Sequence, residues 1–510
     1  MSLSIPLNFY KLNTIAAVAL ALLSFAPSPA HAALNIPITV NLSESINVTG
    51  TPQIAVDVGG TPRYATYTSG TGTNALTFTL SPQAGDVDLD GVTVSSPIQL
   101  NGGTIKDTKG NNATLTFTPP NTANVKVNYP SLGMDFVYDA DGRYTLNGTP
   151  YNDLSSFLTA TGGSFTRASV GTYFDSTGTL QTASANTPRF DYDPVTHTPK
   201  GILIEESRTN YASYSNKITT KVGTGYGYSG DTTELFTTDA GVAPDGSNTA
   251  SFAVTGSRFF KEVGISNGQF TLSIWLKVPS GSSTATLNIK NFQTDNIKAT
   301  STVTLTSSWQ RFALTGLTNG SNIGVRAEVN YPSGGVYAWG MQIEAASFAT
   351  SYIPTTTAAV TRAADVLTIP TGSWFDSSKG SAIAEIADYN RIVGSIFALN
   401  DGTGSNRYDM RAEQKFSVFT ANGGANTTLS PLNFTSSGGG KAGISYSPSV
   451  AKASFQGGSV INGTAVSPTG INKLWIGSID SGLYQLCGHI KRFKYYPVVE
   501  SDTQLQLLTQ

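Results

Sequence analysis

Short runs in which apolar and polar residues alternate cover most of the chain, and a period of two is the mark of strands half-buried against a core. Ile38-Thr39-Val40-Asn41-Leu42, Gln53-Ile54-Ala55-Val56-Asp57-Val58 and Ala75-Leu76-Thr77-Phe78-Thr79-Leu80 all alternate in this way, and Gly59-Gly60 supplies a hairpin turn after the second. Further strands are predicted around Val92 to Leu100 and Ala113 to Phe117. The last strand is predicted over Gly488 to Tyr496. A helix follows it, with Ser501 as N-cap and Gln504 three residues on as a capping box before Leu505, Leu507 and Leu508. The fold class so predicted is all-β and multidomain, since 510 residues exceed what one hydrophobic core serves.

Particular words then divide the chain. Ser43-Glu44-Ser45-Ile46-Asn47-Val48-Thr49-Gly50, Tyr67-Thr68-Ser69-Gly70-Thr71-Gly72-Thr73-Asn74 and Leu100-Asn101-Gly102-Gly103-Thr104-Ile105-Lys106-Asp107 resemble the immunoglobulin-like repeats of bacterial surface adhesins, here in a single copy. That resemblance implies an Ig-like spacer over 33–120, ending at the linker Pro119-Pro120. Ser164-Phe165-Thr166-Arg167-Ala168-Ser169, Pro188-Arg189-Phe190-Asp191-Tyr192-Asp193-Pro194 and Gly201-Ile202-Leu203-Ile204-Glu205-Glu206-Ser207-Arg208-Thr209-Asn210 resemble modules of phage tail fibres and head spikes. They imply a β-rich connecting module over 121–210. Leu272-Ser273-Ile274-Trp275-Leu276-Lys277, Ser308-Trp309-Gln310-Arg311-Phe312 and Trp339-Gly340-Met341-Gln342-Ile343-Glu344 are similar to strands of carbohydrate-binding modules, which implies a jelly roll over 211–358. Val360-Thr361-Arg362-Ala363-Ala364-Asp365 reads as a seam, and from Gly380 the chain resembles a laminin-G or concanavalin-like domain, which implies a second sandwich over 359–510.

Composition narrows the setting. Lys11 precedes the apolar run from Thr14 to Phe25, and Pro27 and Pro29 lead to Ala30-His31-Ala32, the kind of site signal peptidase cuts. A signal peptide over 1–32 is therefore expected, with Ala33 as the new N-terminus and a secreted or envelope destination; the alternative is an uncleaved anchor. No later stretch approaches the ~20 apolar residues of a membrane span. Net charge is −2 and no basic cluster occurs, which argues against nucleic acid as a partner. Cys487 is the one cysteine, so no intrachain disulfide forms, and stability has to come from sandwich cores, bound ions or association into a homo-oligomer.

Catalytic apparatus is sparse. The three histidines are His31, His197 and His489, and neither of the last two has partners announced by spacing for a triad or a zinc site. Glu205-Glu206 and Asp191/Asp193 are the carboxylate pairs a glycosidase would need, but Glu205 and Glu206, adjacent in a strand, point to opposite faces and cannot share one site. Asp86, Asp88 and Asp90 before Gly91 open like a calcium loop, although the twelfth position is Pro97 and closes nothing. Calcium is the only cofactor this suggests. For glycan binding the useful groups are exposed aromatics: Trp309 and Trp374 beside polar or turn residues, and Tyr226, Tyr228 and Tyr331 among Gly, Ser and Pro. Trp275, Trp339 and Trp475, each in a strand-like word, are expected in the core. The function expected from these features is recognition of carbohydrate or another cell-surface ligand, without enzymatic activity; the alternatives are a structural fibre module and a polysaccharide hydrolase.

Overall fold

A computed structural model describes residues 18–20, 35–137, 143–219, 226–228, 236–254, 257–265, 268–292, 294–318, 324–390, 393–412, 415–433, 438–480 and 484–510. The predicted signal segment and its cleavage site lie outside them, apart from Val18–Leu20, which runs antiparallel to Ile38–Val40. Every sheet pairing among the described strands is antiparallel, apart from one isolated parallel bridge between Ser395 and Gln485.

The N-terminal unit is organised by one long strand, Ile36–Thr49, which pairs first with Thr73–Leu80. After a register shift between Asn41 and Ile46 it changes partner to Thr104–Asp107. Gln53–Val58, Thr61–Ser69 and Thr73–Leu80 follow as consecutive hairpins, and their alternating Ile54, Val56, Val58, Leu76, Phe78 and Leu80 fill the core. Pro119-Pro120 does not end this unit. Thr122 is buried with its hydroxyl on the Val92 carbonyl, and Val127–Tyr129 pairs with Asp86–Asp88.

The jelly roll consists of two five-stranded sheets. One is ordered Tyr226–Tyr228, Arg258–Val263, Val325–Asn330, Ser282–Asn291, Ile297–Thr306; the other is Phe236–Gly241, Ala250–Ala253, Val336–Glu344, Gly268–Lys277, Gln310–Thr318. In Gly268–Lys277 the inward set is Phe270, Leu272, Ile274 and Leu276. Thr271, Ser273, Trp275 and Lys277 therefore share the outward face.

Residues 131–210 and 359–510 build one sandwich together. Gly488–Tyr496 lies between Gly380–Tyr389 on one side and both Leu132–Asp135 and Pro199–Ile204 on the other. In the facing sheet, Ser164–Thr166 pairs with Val366–Pro370. The jelly roll is thus inserted into this sandwich, and its two ends are tied where Arg208–Asn210 pairs with Val360–Arg362.

Two helices complete the chain as described. Leu154–Thr161 (α1), capped by the Asp153 carboxylate on Ser156 N at 2.7 Å and ended by Gly162 at φ 69°, buries Phe157 and Leu158 in the sandwich core. Asp502–Leu508 (α2) has the expected N-cap at Ser501. Gln504 does not close a capping box. Its side chain instead accepts from Leu89 N at 3.0 Å and donates to Asp90 at 2.5 Å, which ties the N-terminal unit to the sandwich.

Candidate functional site

The words that set off 121–210 and the seam converge on one buried ionic hub. Asp365 accepts from Arg167 at 3.0 Å and Arg189 at 2.5 Å; Glu205 meets Arg189 at 2.9 Å and Arg362 at 3.2 Å. All five side chains are buried. Burial alone would raise the Glu205 carboxyl, but Arg362 and Arg189 outweigh it and hold the acid well below the usual range. Ser351 adds two bonds to the same carboxylate, from its N at 2.7 Å and its hydroxyl at 2.6 Å. Because Ser351 belongs to the insert, after its last strand Val336–Glu344, and Arg189 to the sandwich segment before it, the hub sets the insert against the sandwich.

Beside the hub lies a cavity of about 150 Å³ whose wall includes Trp275, Arg311, Tyr352, Asp191, Cys487 and His489. His489 sits between two carboxylates, with Nδ1 2.5 Å from Asp388 and Nε2 2.8 Å from Asp191. Burial disfavours the imidazolium, yet Asp388 and Asp191 outweigh that and raise its pKa to about 9. A ring nitrogen donating to each carboxylate leaves no lone pair to act as a base. The Cys487 thiol is pushed up to about 12, chiefly by burial, so it is no nucleophile. Arg311 stacks 4.5 Å over Trp275 and donates to Thr350 O at 2.7 Å and to the Ser273 hydroxyl at 2.9 Å.

The same outward sheet face continues beyond this seam, where its side chains are half-buried and no longer fully covered. There Phe252, Tyr337 and Lys277 are direct cross-strand neighbours on three adjacent strands, and Trp309 stands at the start of the next. The Phe252 and Tyr337 rings are 4.6 Å apart, the Tyr337 and Trp309 rings 6.5 Å. The Lys277 ammonium lies 4.9 Å from the Trp309 ring and 5.2 Å from that of Tyr337, and partial burial lowers its pKa. All four side chains are half-buried. Trp309 is fixed by Nε1 donating to Val242 O at 2.9 Å. Gly335, at φ 86°, approaches Phe252 so closely that a methyl there would lie 2.7 Å from the ring.

Of the aromatics singled out from sequence, Trp309 alone stands on this row. Trp374 is a core residue at 2% exposure, packed edge-on 5.1 Å from Tyr495 with its indole N–H on Pro370 O. Tyr226 belongs to a strand and not a loop; its ring is buried beneath Lys261 at 4.6 Å. Tyr331 is buried 6.0 Å from Phe259. The Tyr228 side chain lies outside the described residues. Glycine and proline neighbours were a poor guide here: Tyr226 lies in a strand and Tyr331 directly after one, and both rings belong to the jelly-roll core. Trp275, Trp339 and Trp475 are buried as expected. Tyr337 and Phe252 were legible only through their strand register.

The aspartates of the calcium-like loop do not meet at a point. Asp86 pairs with Arg63 at 2.6 Å, Asp88 accepts from Gly59 N and Gly91 N at 2.7 Å each, and Asp90 accepts from Gln504. Among the described residues no group of three or more His, Cys, Asp or Glu side chains is arranged to hold a metal ion. The loop braces the unit and docks it.

No protein-family model matches the sequence, and no curated protein matches it. Among solved structures, the chain is similar to the CBM40 module of the Ruminococcus gnavus IT-sialidase bound to α2,6-sialyllactose, at 16% identity over 26% of this chain and 84% of that one, TM-score 0.23. It is similar to the CBM22 tandem of Paenibacillus barcinonensis Xyn10C at 8% identity over 56% and 94%, TM-score 0.21. Domains LG4-5 of the mouse laminin α1 chain align at 8% identity over 49% and 88%, TM-score 0.20. At these TM-scores the likenesses carry no argument about fold or ligand.

Proposed function

We propose that this chain is an extracytoplasmic glycan-binding protein whose ligand lies along Phe252, Tyr337 and Trp309. The observation that carries the reading is the half-buried aromatic row: three rings and an ammonium in cross-strand register, on the part of the face that is only partly covered while the remainder is buried. Flat rings stack on the apolar faces of sugars, and Lys277 stands where it can bond ring substituents. Export rests on the sequence of the first 32 residues, and the N-terminal unit then serves as a spacer.

Binding is favoured over hydrolysis by the state of the carboxylates. Glu205 is locked between Arg189 and Arg362, Glu206 pairs with Arg208, Asp191 is committed to His489, and Asp193 caps its own turn through Val195 N and Thr196 N. None is placed as a free acid beside a free base.

The test is a glycan array on the full chain followed by titration of the best glycan against variants. Tyr337→Ala and Trp309→Ala should each cost about 2 kcal/mol of affinity, roughly thirtyfold, with the melting temperature nearly unchanged. Trp374→Ala should leave affinity alone and lower stability by about 3–5 kcal/mol. Affinity indifferent to both surface substitutions, or no glycan bound at all, would remove the lectin reading in favour of a display module.

A further inference from the structure

A second cleft, of about 290 Å³, lies where the N-terminal unit and α2 meet the outer face of the sandwich. One side of it is apolar, made by Leu89, Ile383, Leu507 and Leu508. The other is cationic. Arg492 is matched by Glu385 at 2.7 Å and Asp135 at 3.1 Å, and Lys441 donates to the Gln510 carbonyl at 2.5 Å.

Lys494 differs from these two. Its ammonium reaches the neutral Asn128 side-chain oxygen at 3.3 Å, an acceptor already taken by the Tyr496 hydroxyl at 2.7 Å. Among the described residues no carboxylate lies within ion-pair distance of it. Burial, with Arg492 and Lys441 alongside, outweighs the more distant Asp135 and Glu385 carboxylates and pulls its pKa down to about 8. A half-buried cation without a carboxylate in contact, opposite an apolar wall and beside an Arg492 whose carboxylates Glu385 and Asp135 it does not share, suits a negative charge that brings its own apolar surface.

We propose that this cleft binds a small organic anion, a carboxylate on a short apolar body, with the carboxylate on Lys494 and the body against Leu89, Ile383 and the two leucines of α2. One unmatched cation suits a monoanion better than a phosphate dianion, because Arg492 and Lys441 are already engaged. The volume is about twice that of a cavity that holds benzene, which admits on the order of ten non-hydrogen atoms. Such a ligand would bridge the two units, since Leu89 and Asn128 come from one and Lys494 from the other.

Titration of the full chain with sodium hexanoate tests this, with acetate (charge without body) and hexan-1-ol (body without charge) as comparisons. Hexanoate should bind saturably at one site, and each comparison about tenfold or more weaker. Its affinity should fall as pH rises through about 8, where free Lys494 loses its proton. Lys494→Met should abolish the preference for hexanoate over hexan-1-ol, and Lys494→Arg should retain it, which separates loss of charge from loss of fold. Equal binding of acid and alcohol, a preference that survives Lys494→Met, or no saturable binding of hexanoate would each overturn the proposal.

Discussion

His489 shows how far a single residue can depart from what its sequence position announces. Its pKa rises from 6.5 to about 9 on folding, so the stability it contributes is fully present below pH 6.5 and is lost as pH rises through about 9. Asp388 moves the other way: burial opposes it, but His489 and Lys200 hold it below its ordinary value. Its contribution is present above the ordinary value of 3.8 and is lost as pH falls further. Stability from this cluster is therefore greatest between about pH 4 and 6.5. His489→Asn should cost roughly 3 kcal/mol there, because it leaves Asp191 buried without its cation and Asp388 with Lys200 alone, and the loss should shrink above pH 9. Urea melts of both proteins across pH 5 to 10 check this; a pH-independent difference would mean that His489 acts by packing alone. The sequence placed His489 in a strand but could not pair it, because Asp191 and Asp388 lie 298 and 101 residues away. Trp309 was legible for a local reason, its polar flanks, and Trp374 was misjudged for the same reason.

At the scale of elements, alternation was a faithful guide wherever one face of a strand met a core. Ile54, Val56 and Val58 are buried as their spacing predicted; Trp275 and Trp339 are buried too, but on the outward face beneath the seam. What alternation could not tell was what covers the outward face. In Val336–Glu344 that face passes from solvent at Tyr337 to a buried seam at Trp339, Gln342 and Glu344 within one strand. Gly340 makes the passage possible. It takes φ 67°, the register of its strand slips between Ser273 and Trp275 opposite, and a methyl at Gly340 would lie 2.6 Å from the Trp275 ring. Gly340→Ala should therefore cost about 2 kcal/mol or more through backbone strain and displacement of Trp275 together. Thermal unfolding measures the loss, and near-ultraviolet circular dichroism should report the disturbed Trp275–Trp339 pair, now 5.4 Å apart. A variant as stable as the parent, with an unchanged spectrum, would show that the slip tolerates a side chain.

On the scale of the whole molecule, linear reading of domains misses insertion. The sequence words around Arg167, Arg189 and Glu205 looked like a module of their own because they are contiguous, whereas their partners Arg362 and Asp365 arrive after the jelly roll. Pairing across such a gap leaves no local signal, since each strand needs only the right pattern on its own face. The consequence is sharp for fragments. Residues 359–510 alone lack Leu132–Asp135, Ser164–Thr166 and Pro199–Ile204, which flank Gly488–Tyr496 in one sheet and Val366–Pro370 in the other. They would also expose the core surface that Leu132, Met134, Phe136, Ile202 and Ile204 cover. At about 1.5–3 kcal/mol for each of these five buried apolar side chains, that loss is as large as the 5–15 kcal/mol by which whole domains are stable. A fragment 359–510 should be insoluble or lack a cooperative melt, while 127–510 should fold. The N-terminal unit supplies the matching comparison: 33–130 retains Thr122 and Val127–Tyr129 and should melt higher than 33–120, which ends at the prolines. If 359–510 gives a cooperative transition of native height, the discontinuous sandwich is not the folding unit, and the strands from 132 to 204 merely decorate a domain that is complete without them.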